Sequence, residues 1–349
     1  MKLNLMAPIN QLGYGIAGLN ILKALQAHTD VSLHMIGQTQ VTNQQDADAV
    51  TRGLGAAKTF DPNAPCVKIW HQNQMAEFIG HGEHIGFPVF ELDTFDQLER
   101  HHLKSCDRLF VCSEWAKDVL YNQDGWTSPQ VDVIPLGVDT DIFKPVEPIK
   151  RDKTIFFNCG KWEVRKGHDV LIDIFKNVLL HDENVELWMM CTNPFNSPDE
   201  EGKWTQLYNH PKIKIIPRAD TQQEVYNIMR QVDCGVFPSR GEGWNLELLE
   251  MMATGKHVIA TGYSAHTEFC TEDNCSIIPI TEKEPAFDGK WFFGKGNWAK
   301  LDELNIFTTS LMMRDFIENR LGTVNEAGIE TAKKFSWDNT VNLIMKHLK

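Results

Sequence analysis

Short apolar segments alternate with longer segments in which apolar residues recur every three or four positions, and this alternation continues along almost the whole chain. The short segments have the length and character of buried strands. In the first half they predict strands at residues 2–6, 31–36, 67–70, 88–91, 108–112 and 131–134. In the second half they predict strands at residues 154–158, 185–191, 213–216, 234–238 and 258–261.

The longer segments predict amphipathic helices between these strands. One apolar stripe predicts a helix at residues 16–27, and another predicts a helix that begins near Val170. Ser113 has a side chain suited to cap a helix at residues 114–121. The tail at residues 309–349 predicts two or three further helices. Strands that alternate with helices favour parallel sheets with crossover connections, so we expect an α/β fold.

The length of the chain indicates more than one domain. A chain of 349 residues exceeds what one hydrophobic core usually supports. Three prolines and weak periodicity at residues 135–151 indicate a linker, which places one domain at residues 1–150 and a second at residues 151–330. Two facing, Rossmann-like doubly wound domains are the simplest architecture, and ligands of such sheets bind at the carboxyl ends of strands. We therefore expect the chemistry in a cleft between the domains.

The bulk properties exclude several classes of protein. Hydrophobic residues make up 42% and charged residues 23% of the chain, as in ordinary globular proteins. No run of about 18 apolar residues occurs and residues 1–8 lack a cleavage pattern, so we expect neither a transmembrane segment nor a signal peptide. Eight scattered cysteines without a C-x-x-C pair predict a reducing, cytoplasmic environment and no metal site. The net charge of −13 disfavours binding to nucleic acid or anionic membranes.

The most informative segment is Gly-Glu-Gly-Trp-Asn-Leu-Glu-Leu-Leu-Glu at residues 241–250, which follows a predicted strand and opens a helix. Seven residues separate Glu242, in the loop before the helix, from Glu250, inside it. We interpret both as functional residues. Glu247 points elsewhere on the helix, and we interpret it as an ordinary surface residue.

The start of this helix suits a nucleotide ligand. Free backbone N–H groups near Asn245 and Leu246 could bind a diphosphate, because helix N-termini attract anions. A carboxylate one turn further in, such as Glu250, could accept both hydroxyls of a ribose. The glycines at positions 241 and 243 would let the backbone approach the ligand closely.

A second segment, at residues 158–169, follows the strand at residues 154–158 and precedes an amphipathic helix. It carries Lys161 and Lys166, two cations that leave one strand end five residues apart. Such cations could neutralise a diphosphate and stabilise it as it departs. The alternative is a solvated turn that happens to be basic.

Together these segments resemble the signatures of family 4 of the glycosyltransferases, the group 1 family, which has the GT-B fold. That family carries a glutamate–seven–glutamate element and a strand that ends in Gly-Arg-x4-Lys-Gly. The resemblance covers nearly the whole chain. It extends to Gly13-Tyr14-Gly15 after the first strand, to Pro135-Leu136-Gly137-Val138-Asp139 with Phe143, and to Asp233-Cys234-Gly235-Val236-Phe237-Pro238-Ser239 before the glutamates.

The resemblance implies a role for each domain. Residues 1–150 would form the acceptor-side domain, and residues 151–330 would bind a nucleoside diphosphate sugar, either a UDP-sugar or a GDP-sugar. A C-terminal helix at residues 331–349 would pack back on the N-terminal domain.

The resemblance also implies the site residues. Glu250 would hold the ribose, and Lys161 and Lys166 would contact the diphosphate. Gly13 and Gly15 would close over the diphosphate from the other domain. The loop before the helix would complete the donor site near the sugar and phosphates, through Glu242, Gly243, Trp244, Asn245 and Leu246.

Three positions depart from the family pattern. Lys161 stands where arginine is usual, so a bidentate fork becomes a point charge. Asn245 stands where glycine is usual, which could crowd the sugar or add a hydrogen bond. Glu91 falls where many members place a histidine. We assign Glu91 a candidate catalytic role toward acceptor or sugar, with a strand-end surface carboxylate as the equal alternative.

Three other patterns resemble motifs for metal or dinucleotide binding, but their sequence context does not support those functions. Asp139-Thr140-Asp141 has the form of a D-x-D metal motif, and in its linker context we interpret it as a turn. Residues 13–18 match G-x-G-x-x-G, yet no acidic residue follows the second strand to bind a ribose, which disfavours a dehydrogenase. His81 and His84 have no further ligands in sequence, so we interpret them as loop or core residues.

The resemblance implies retaining, metal-independent transfer of a sugar to an acceptor hydroxyl on a glycan, lipid or small molecule. The donor is a substrate, so no cofactor is expected. Alternatives are a glycosyltransferase that modifies a nucleic-acid base, a GT-B epimerase or phosphorylase, and a catalytically silent binding module. The acceptor and the oligomeric state are not predicted.

Overall fold

A computed structural model describes residues 2–348 of the chain. The chain divides into two compact units. The first contains residues up to Gly137 together with residues from Phe335 onward, and the second is Val138–Lys334.

The first unit is a six-stranded parallel sheet with helices between its strands. Its strands are β1 (Lys2–Ala7), β2 (Asp30–Met35), β3 (Cys66–Trp70), β4 (His84–Pro88), β5 (Arg108–Val111) and β6 (Gln130–Val133), in the order β2-β1-β3-β4-β5-β6. Its first four helices are α1 (Gly13–Leu25), α2 (Gln44–Ala57), α3 (Gln97–Lys104) and α4 (Glu114–Tyr121). In the central strand β1, Leu5 pairs with Leu33 of β2 and with Val67 of β3, and all three side chains are buried. Burial on both faces explains the continuous apolar runs of these strands.

The second unit repeats this architecture with a second six-stranded parallel sheet. Its strands are β7 (Thr154–Gly160), β8 (Val185–Cys191), β9 (Ile213–Ile215), β10 (Cys234–Phe237), β11 (His257–Thr261) and β12 (Ser276–Ile278), in the order β12-β11-β10-β7-β8-β9. Its first four helices are α5 (His168–Leu179), α6 (Pro198–Leu207), α7 (Gln222–Met229) and α8 (Leu246–Ala253). Because β7 and β10 are neighbours in a parallel sheet, the two segments that follow them emerge at the same edge.

An antiparallel hairpin of β13 (Lys283–Phe287) and β14 (Phe293–Ala299) follows this sheet. Helices α9 (Glu303–Asp315) and α10 (Glu326–Lys334) complete the second unit, with a π-helical turn at Phe316–Arg320. The last helix, α11 (Trp337–His347), belongs to the first unit. There the Thr340 hydroxyl donates to the Pro135 carbonyl at 2.7 Å.

The units divide at residues 137/138 and 334/335, whereas the sequence analysis placed the divisions at 150/151 and 330/331. The segment after Gly137 packs on the second unit. The Val146 N–H donates to the Thr254 carbonyl at 3.1 Å, and the Phe143 ring lies 6.2 Å from that of Tyr226. These contacts make most of the predicted linker part of the second unit.

Most predicted strands are confirmed within one or two residues, and the predicted helix at Glu114–Tyr121 with its Ser113 cap is confirmed. The strand predicted at residues 88–91 is wrong, because β4 ends at Pro88. Proline has no N–H to continue a ladder, which accounts for the end of the strand. The glycine loop predicted around Gly13 is instead the first turn of α1. Among residues 2–348, no helix combines the length and apolar character needed to cross a membrane.

Candidate functional site

The glutamate segment starts at the carboxyl end of β10 and runs into α8. Asn245 is the N-cap of α8 and has a left-handed backbone, with φ of 85°. Asparagine tolerates this conformation better than most residues do, which explains how it replaces the expected glycine. Its Oδ1 accepts from the Leu248 N–H at 3.2 Å and so caps the helix.

A buried histidine fixes the orientation of Asn245. The Asn245 Nδ2 lies 2.9 Å from His266 Nε2, and His266 Nδ1 lies 3.0 Å from the Thr261 carbonyl. Burial lowers the pKa of His266 to about 4, so the ring is neutral near pH 7. Its Nδ1–H therefore donates to Thr261, and its Nε2 accepts from the Asn245 amide. The asparagine adds a hydrogen bond to the protein rather than leaving its amide unpaired.

Glu242 lies in a buried ring of hydrogen bonds. Its Oε1 accepts from Lys166 Nζ at 3.0 Å and from the Ser239 hydroxyl at 2.8 Å. Its Oε2 accepts from Arg165 Nη1 at 2.7 Å. Its backbone N–H donates to the Ser264 hydroxyl at 2.8 Å. Every oxygen of the carboxylate thus has a donor, and the side chain is held in one position.

A second buried carboxylate, Glu163, extends this arrangement. Its Oε2 accepts from Arg165 Nη2 at 2.6 Å, and its Oε1 lies 2.7 Å from Lys161 Nζ. Cations and carboxylates therefore alternate along one chain of contacts, which we name the charge network: Lys161, Glu163, Arg165, Glu242 and Lys166. The network joins both lysines of the sequence prediction to Glu242.

The network keeps Glu242 and Lys166 charged although both are buried. Burial by itself raises the pKa of Glu242, but Arg165 and Lys166 outweigh it and hold that pKa well below its usual range. Burial by itself lowers the pKa of Lys166, but Glu242 and Glu247 raise it above its usual range. Three cations face two carboxylates, so the network has an excess of one positive charge and attracts an anionic ligand.

Local folding places these residues at the edge of the sheet. Gly167 is the N-cap of α5 with φ of 72°, and a Cβ there would lie 2.0 Å from the Pro238 carbonyl. His168 is fully buried, and its Nε2 lies 2.9 Å from Asn158 Oδ1 while its Nδ1 accepts from the Glu163 N–H at 3.2 Å. Burial lowers the pKa of His168 to about 3, so it is neutral and positions the Glu163 backbone.

Glu250 lies inside α8 and is buried. Within residues 2–348, its carboxyl accepts one side-chain hydrogen bond, from Gln222 Nε2 at 3.1 Å. Burial raises the pKa of Glu250 well above its usual range, and the nearby Glu247 and Asp139 raise it further. A buried carboxyl with one neutral partner is costly for folding and is therefore a candidate to receive hydroxyl donors from a ligand.

The same observation predicts a pH effect on stability. A carboxyl whose pKa is raised by folding holds its proton in the folded state, so stability falls as pH rises above the ordinary glutamate range. We expect the thermal midpoint of Glu250→Gln to rise relative to that of the wild type as pH rises from 5 to 8. Each kcal/mol of difference in the free energy of unfolding corresponds to about 2–4 °C. Scanning fluorimetry without ligand measures this difference. Glu330→Gln, in an exposed pair with Lys333, is the control, and a Glu250→Gln difference that is constant with pH would contradict the prediction.

The Cys159 thiol lies at the carboxyl end of β7 and is buried. Burial raises the pKa of this thiol well above its usual range. Glu247 and Glu250 add to this increase, whereas Lys166 opposes it.

Sequence reasoning missed several members of the site. Arg165 and Glu163 lie within the basic segment but were not singled out, although arginine beside a buried carboxylate is a usual pairing. Glu247, interpreted above as pointing elsewhere, raises the pKa of Lys166 and of Glu250 and is only partly exposed. Its spacing of three residues before Glu250 was the signal, since such residues are neighbours on a helix.

The remaining residues of the glutamate loop are placed as follows. Trp244 is buried, with its ring 5.0 Å from that of Phe269, so its side chain is part of the core. Gly243 lies in the loop, and Leu246 is the first residue of α8. Their backbone contacts to a donor stay predictions.

Three predicted site residues lie in the first unit. Gly13 is the first residue of α1, and a Cβ there would meet open space. A Cβ at Gly15 would lie 2.3 Å from the Asn10 backbone nitrogen, so packing alone requires glycine at this position. Glu91 is partly buried, three residues beyond the end of β4. Donor contacts of the glycines and the role of Glu91 stay predictions.

Aromatic and imidazole rings meet at the carboxyl edge of the first sheet. The Tyr14 ring lies 4.7 Å from that of His71 and 5.6 Å from that of Trp70, and its hydroxyl donates to the Val89 carbonyl. These residues follow or end β1, β3 and β4, as expected where parallel strands end together. His71 directly follows the last residue of β3 and therefore lies at that strand's carboxyl end.

The D-x-D sequence is confirmed as a turn. The Asp139 carboxylate accepts from the Asp141 N–H at 2.9 Å and from the Ile142 N–H at 3.2 Å. All eight cysteines are free and buried. Within the described part of the chain, His, Cys, Asp and Glu side chains do not gather into a group of three that could hold a metal ion.

Two doubly wound α/β units, each with a six-stranded parallel sheet, are the fold of the GT-B class of protein. Solved structures of this class match almost the whole chain. HepE from Anabaena, in complex with UDP-glucose, matches with a TM-score of 0.70 and 15% identity, over 100% of this chain and 99% of that one. A trehalose-6-phosphate synthase, studied for glycosyl transfer with retention, matches with a TM-score of 0.69 and 10% identity, over 100% and 99%. At these identities the matches establish the fold, which confirms the fold prediction.

The family follows from the sequence of the second unit. Residues 152–287, which contain the whole charge network, match the family described as glycosyl transferases group 1. Mannosylfructose-phosphate synthase of Agrobacterium fabrum is 25% identical over 229 residues, which are 56% of this chain and 50% of that protein. The chain spans about half the length of the curated relatives it matches. Residues 152–287 thus carry the group 1 glycosyl transferase sequence, which confirms the resemblance.

Proposed function

We propose that the chain is a retaining, metal-independent glycosyltransferase that moves a sugar from a UDP-sugar or GDP-sugar to an acceptor hydroxyl. One observation carries this proposal above all: the buried charge network at the shared carboxyl edge of β7 and β10. Membership of the second unit in the group 1 family supports it. The UDP-glucose bound to HepE supports a UDP-sugar as the first donor to test.

Donor binding follows from the charges and the buried acid. The excess positive charge of the network attracts a diphosphate, and α8, which begins four residues after Glu242, adds the partial positive charge of a helix N-terminus. Glu250, with its single neutral partner, accepts from the ribose hydroxyls. Hydroxyl donors lower the free energy of the ionised form of this carboxyl, so donor binding relieves part of its burial cost.

Transfer requires charge stabilisation on the leaving group rather than a protein nucleophile. The bond from the anomeric carbon to the diphosphate oxygen breaks, and a bond from that carbon to the acceptor oxygen forms on the same face. The acceptor proton passes to the leaving diphosphate oxygen, so atoms and charge balance. Lys161 and Lys166 stabilise the negative charge that develops there, while Glu242 holds Lys166 in place.

Metal independence follows from the same cations. A divalent ion in such reactions neutralises the developing charge on a diphosphate. Lys161, Arg165 and Lys166 leave an excess of one positive charge over Glu163 and Glu242. The pKa of Lys166 is raised above its usual range by Glu242 and Glu247, against the opposing effect of burial. The site therefore supplies permanently charged groups for that task.

A thermal-shift panel of UDP-glucose, UDP-N-acetylglucosamine, GDP-mannose and ADP-glucose tests donor binding. We expect one donor, at about 100 times its Kd, to stabilise the protein by about 2.7 kcal/mol. For a unit of this size that corresponds to a rise of about 5–10 °C in thermal midpoint. Addition of EDTA is expected to leave the shift and the product yield unchanged.

Glu250→Ala is the matched variant, because it removes the proposed ribose contact and leaves the charge network intact. We expect it to lose most of the donor-dependent shift and to raise the donor KM. Nuclear magnetic resonance of the product is expected to show the anomeric configuration of the donor. An inverted product, or four donors without any shift, would contradict the proposal, and a changed donor sugar without acceptor would identify an epimerase.

A further inference from the structure

An exposed aromatic surface adjoins the charge network in the second unit. It consists of Phe195, Phe287, Trp291 and Phe293, whose side chains are 52%, 61%, 50% and 67% exposed. We name these four residues the aromatic surface. Single exposed apolar residues are normal, but a contiguous group of large rings marks a binding surface.

The rings occur in two pairs, and Trp291 of one pair is two residues before Phe293 of the other in the chain. Phe287 and Phe293 pair across the hairpin with centroids 6.5 Å apart, and Phe195 lies 5.9 Å from Trp291. Each pair is close to perpendicular, at 88° and 80°. Aromatic pairs of this geometry are mutually favourable, so they hold the rings in place.

The hairpin that carries three of these rings is rigidly built. Asp288 Oδ1 accepts from the N–H groups of Lys290, Trp291 and Phe292 at 2.8–2.9 Å and closes the turn. Lys290 Nζ then reaches out of the turn to the Phe195 carbonyl at 3.0 Å and to Glu200 Oε1 at 2.9 Å. The rings are therefore presented in a fixed arrangement before any ligand binds, which lowers the entropy cost of binding.

The base of the hairpin is joined to the segment that carries Glu242. The Ala299 N–H donates to the Arg240 carbonyl at 2.8 Å, and the Arg240 side chain contacts Glu284 Oε1 at 3.2 Å. Phe195, the member of the aromatic surface outside the hairpin, contacts the charge network directly: Lys161 Nζ lies 5.7 Å from the centroid of its ring. The aromatic surface thus begins beside a lysine of the charge network and runs outward from it.

The chemistry of this surface selects its ligand. Sugar rings have C–H faces that pack on aromatic faces and a rim of hydroxyls that needs donors and acceptors. The hairpin carries Lys283, Lys290 and Lys295 against Glu284 and Asp288, and Lys290 is already paired with Glu200. A nearly balanced charge suits a neutral ligand, and the chain's net charge of −13 opposes an anionic bilayer.

The second strand of the hairpin lies beyond the residues that match the group 1 family, which end at residue 287. We propose that the aromatic surface binds a neutral carbohydrate chain, so that the acceptor of the proposed transfer is a glycan of two or more sugars. The acceptor part of this inference rests on the proposed function, whereas binding of the glycan does not.

Affinity electrophoresis of the full chain in gels that contain dextran, yeast mannan, laminarin or soluble starch tests the inference. We expect at least one polysaccharide to retard the wild type, and the double variant Trp291→Ala, Phe293→Ala to raise its dissociation constant by about tenfold or more. Trp291→Phe is expected to retain most of the retardation, because it keeps an aromatic ring. Tyr121→Ala removes an exposed ring of the first unit, 46% exposed, and is expected to match the wild type.

Thermal shift by the donor separates the two proposals. A donor shift that is equal in wild type and double variant shows that the variant is folded and that the aromatic surface is separate from donor binding. Loss of retardation without loss of that shift supports the inference. A third outcome is that no donor stabilises the chain, while a polysaccharide retards the wild type but not the double variant. This outcome would contradict the proposed function and would still support the glycan site.

Three results would overturn the inference. The first is that none of the four polysaccharides retards the wild type. The second is equal retardation of wild type and double variant. The third is flotation of the wild type with phosphatidylcholine–phosphatidylglycerol vesicles that the double variant loses, which would identify the surface as a membrane contact.

Discussion

Lys166→Ala is expected to lower the kcat of sugar transfer by about 10²- to 10³-fold, which is the usual cost of losing one preorganised group that stabilises developing charge. Lys166 is buried, and its Nζ is held 3.0 Å from Glu242 Oε1. A fixed ammonium of this kind needs no reorganisation when the diphosphate leaves. Steady-state kinetics with saturating donor measure the effect, and we expect kcat to fall by more than the donor KM rises.

Lys176→Ala is the matched control for this variant. Lys176 lies on α5 in the same unit, where it forms an exposed pair with Asp173 at 3.4 Å. Its loss is expected to leave both kinetic constants near those of the wild type. A kcat for Lys166→Ala within about threefold of the wild type, with donor affinity unchanged, would remove Lys166 from the mechanism.

Arg165→Met is expected to destabilise the second unit by about 3–5 kcal/mol, because it removes the charged donor from one buried oxygen of each of two carboxylates. Arg165 bridges two buried carboxylates, with Nη1 2.7 Å from Glu242 Oε2 and Nη2 2.6 Å from Glu163 Oε2. Its Nη1 also donates to the Gly241 carbonyl at 2.7 Å. Urea unfolding followed by far-ultraviolet circular dichroism measures the loss.

Two further variants separate the mechanism from a general packing defect. Glu163→Gln in the Arg165→Met background is expected to restore part of the stability, because it removes the charge of a buried carboxylate whose Oε2 has lost its donor. Arg314→Met, on α9 in the same unit, removes a surface pair with Glu318 at 3.8 Å and is expected to cost less than about 1 kcal/mol. Equal losses for Arg165→Met and Arg314→Met would show that the network does not stabilise the unit.

The predictions for Lys166 and Arg165 concern two members of the same charge network. A network of five charged side chains, four of them buried, is held together by alternation of sign, and it also has an excess of positive charge that attracts an anionic ligand. Lys166 is placed for chemistry, whereas Arg165 is enclosed by carboxylates and a carbonyl and is placed for positioning. Replacing Arg165 should therefore affect stability first, and replacing Lys166 should affect turnover first.

Elements with strong local patterns were predicted well. The strand at Val185–Cys191 and the helix at Glu114–Tyr121 were predicted with their observed bounds, because apolar runs and a serine cap are local signals. The helix at Gln44–Ala57 was not predicted, since it is rich in glutamine, aspartate and glycine and buries few side chains. The hairpin at residues 283–299 was missed because its aromatic residues face outward and its turn is irregular.

The sequence by itself determined the α/β class and the group 1 resemblance. It also determined the two segments that carry Lys161, Lys166 and Glu242. These features depend on the pattern and spacing of residues within short segments of the chain. Only the tertiary structure decided which of these charges meet. Arg165 and Glu242 are 77 residues apart, and they pair because β7 and β10 are neighbours in the sheet. Strand order depends on packing of the whole unit, and no local pattern encodes it.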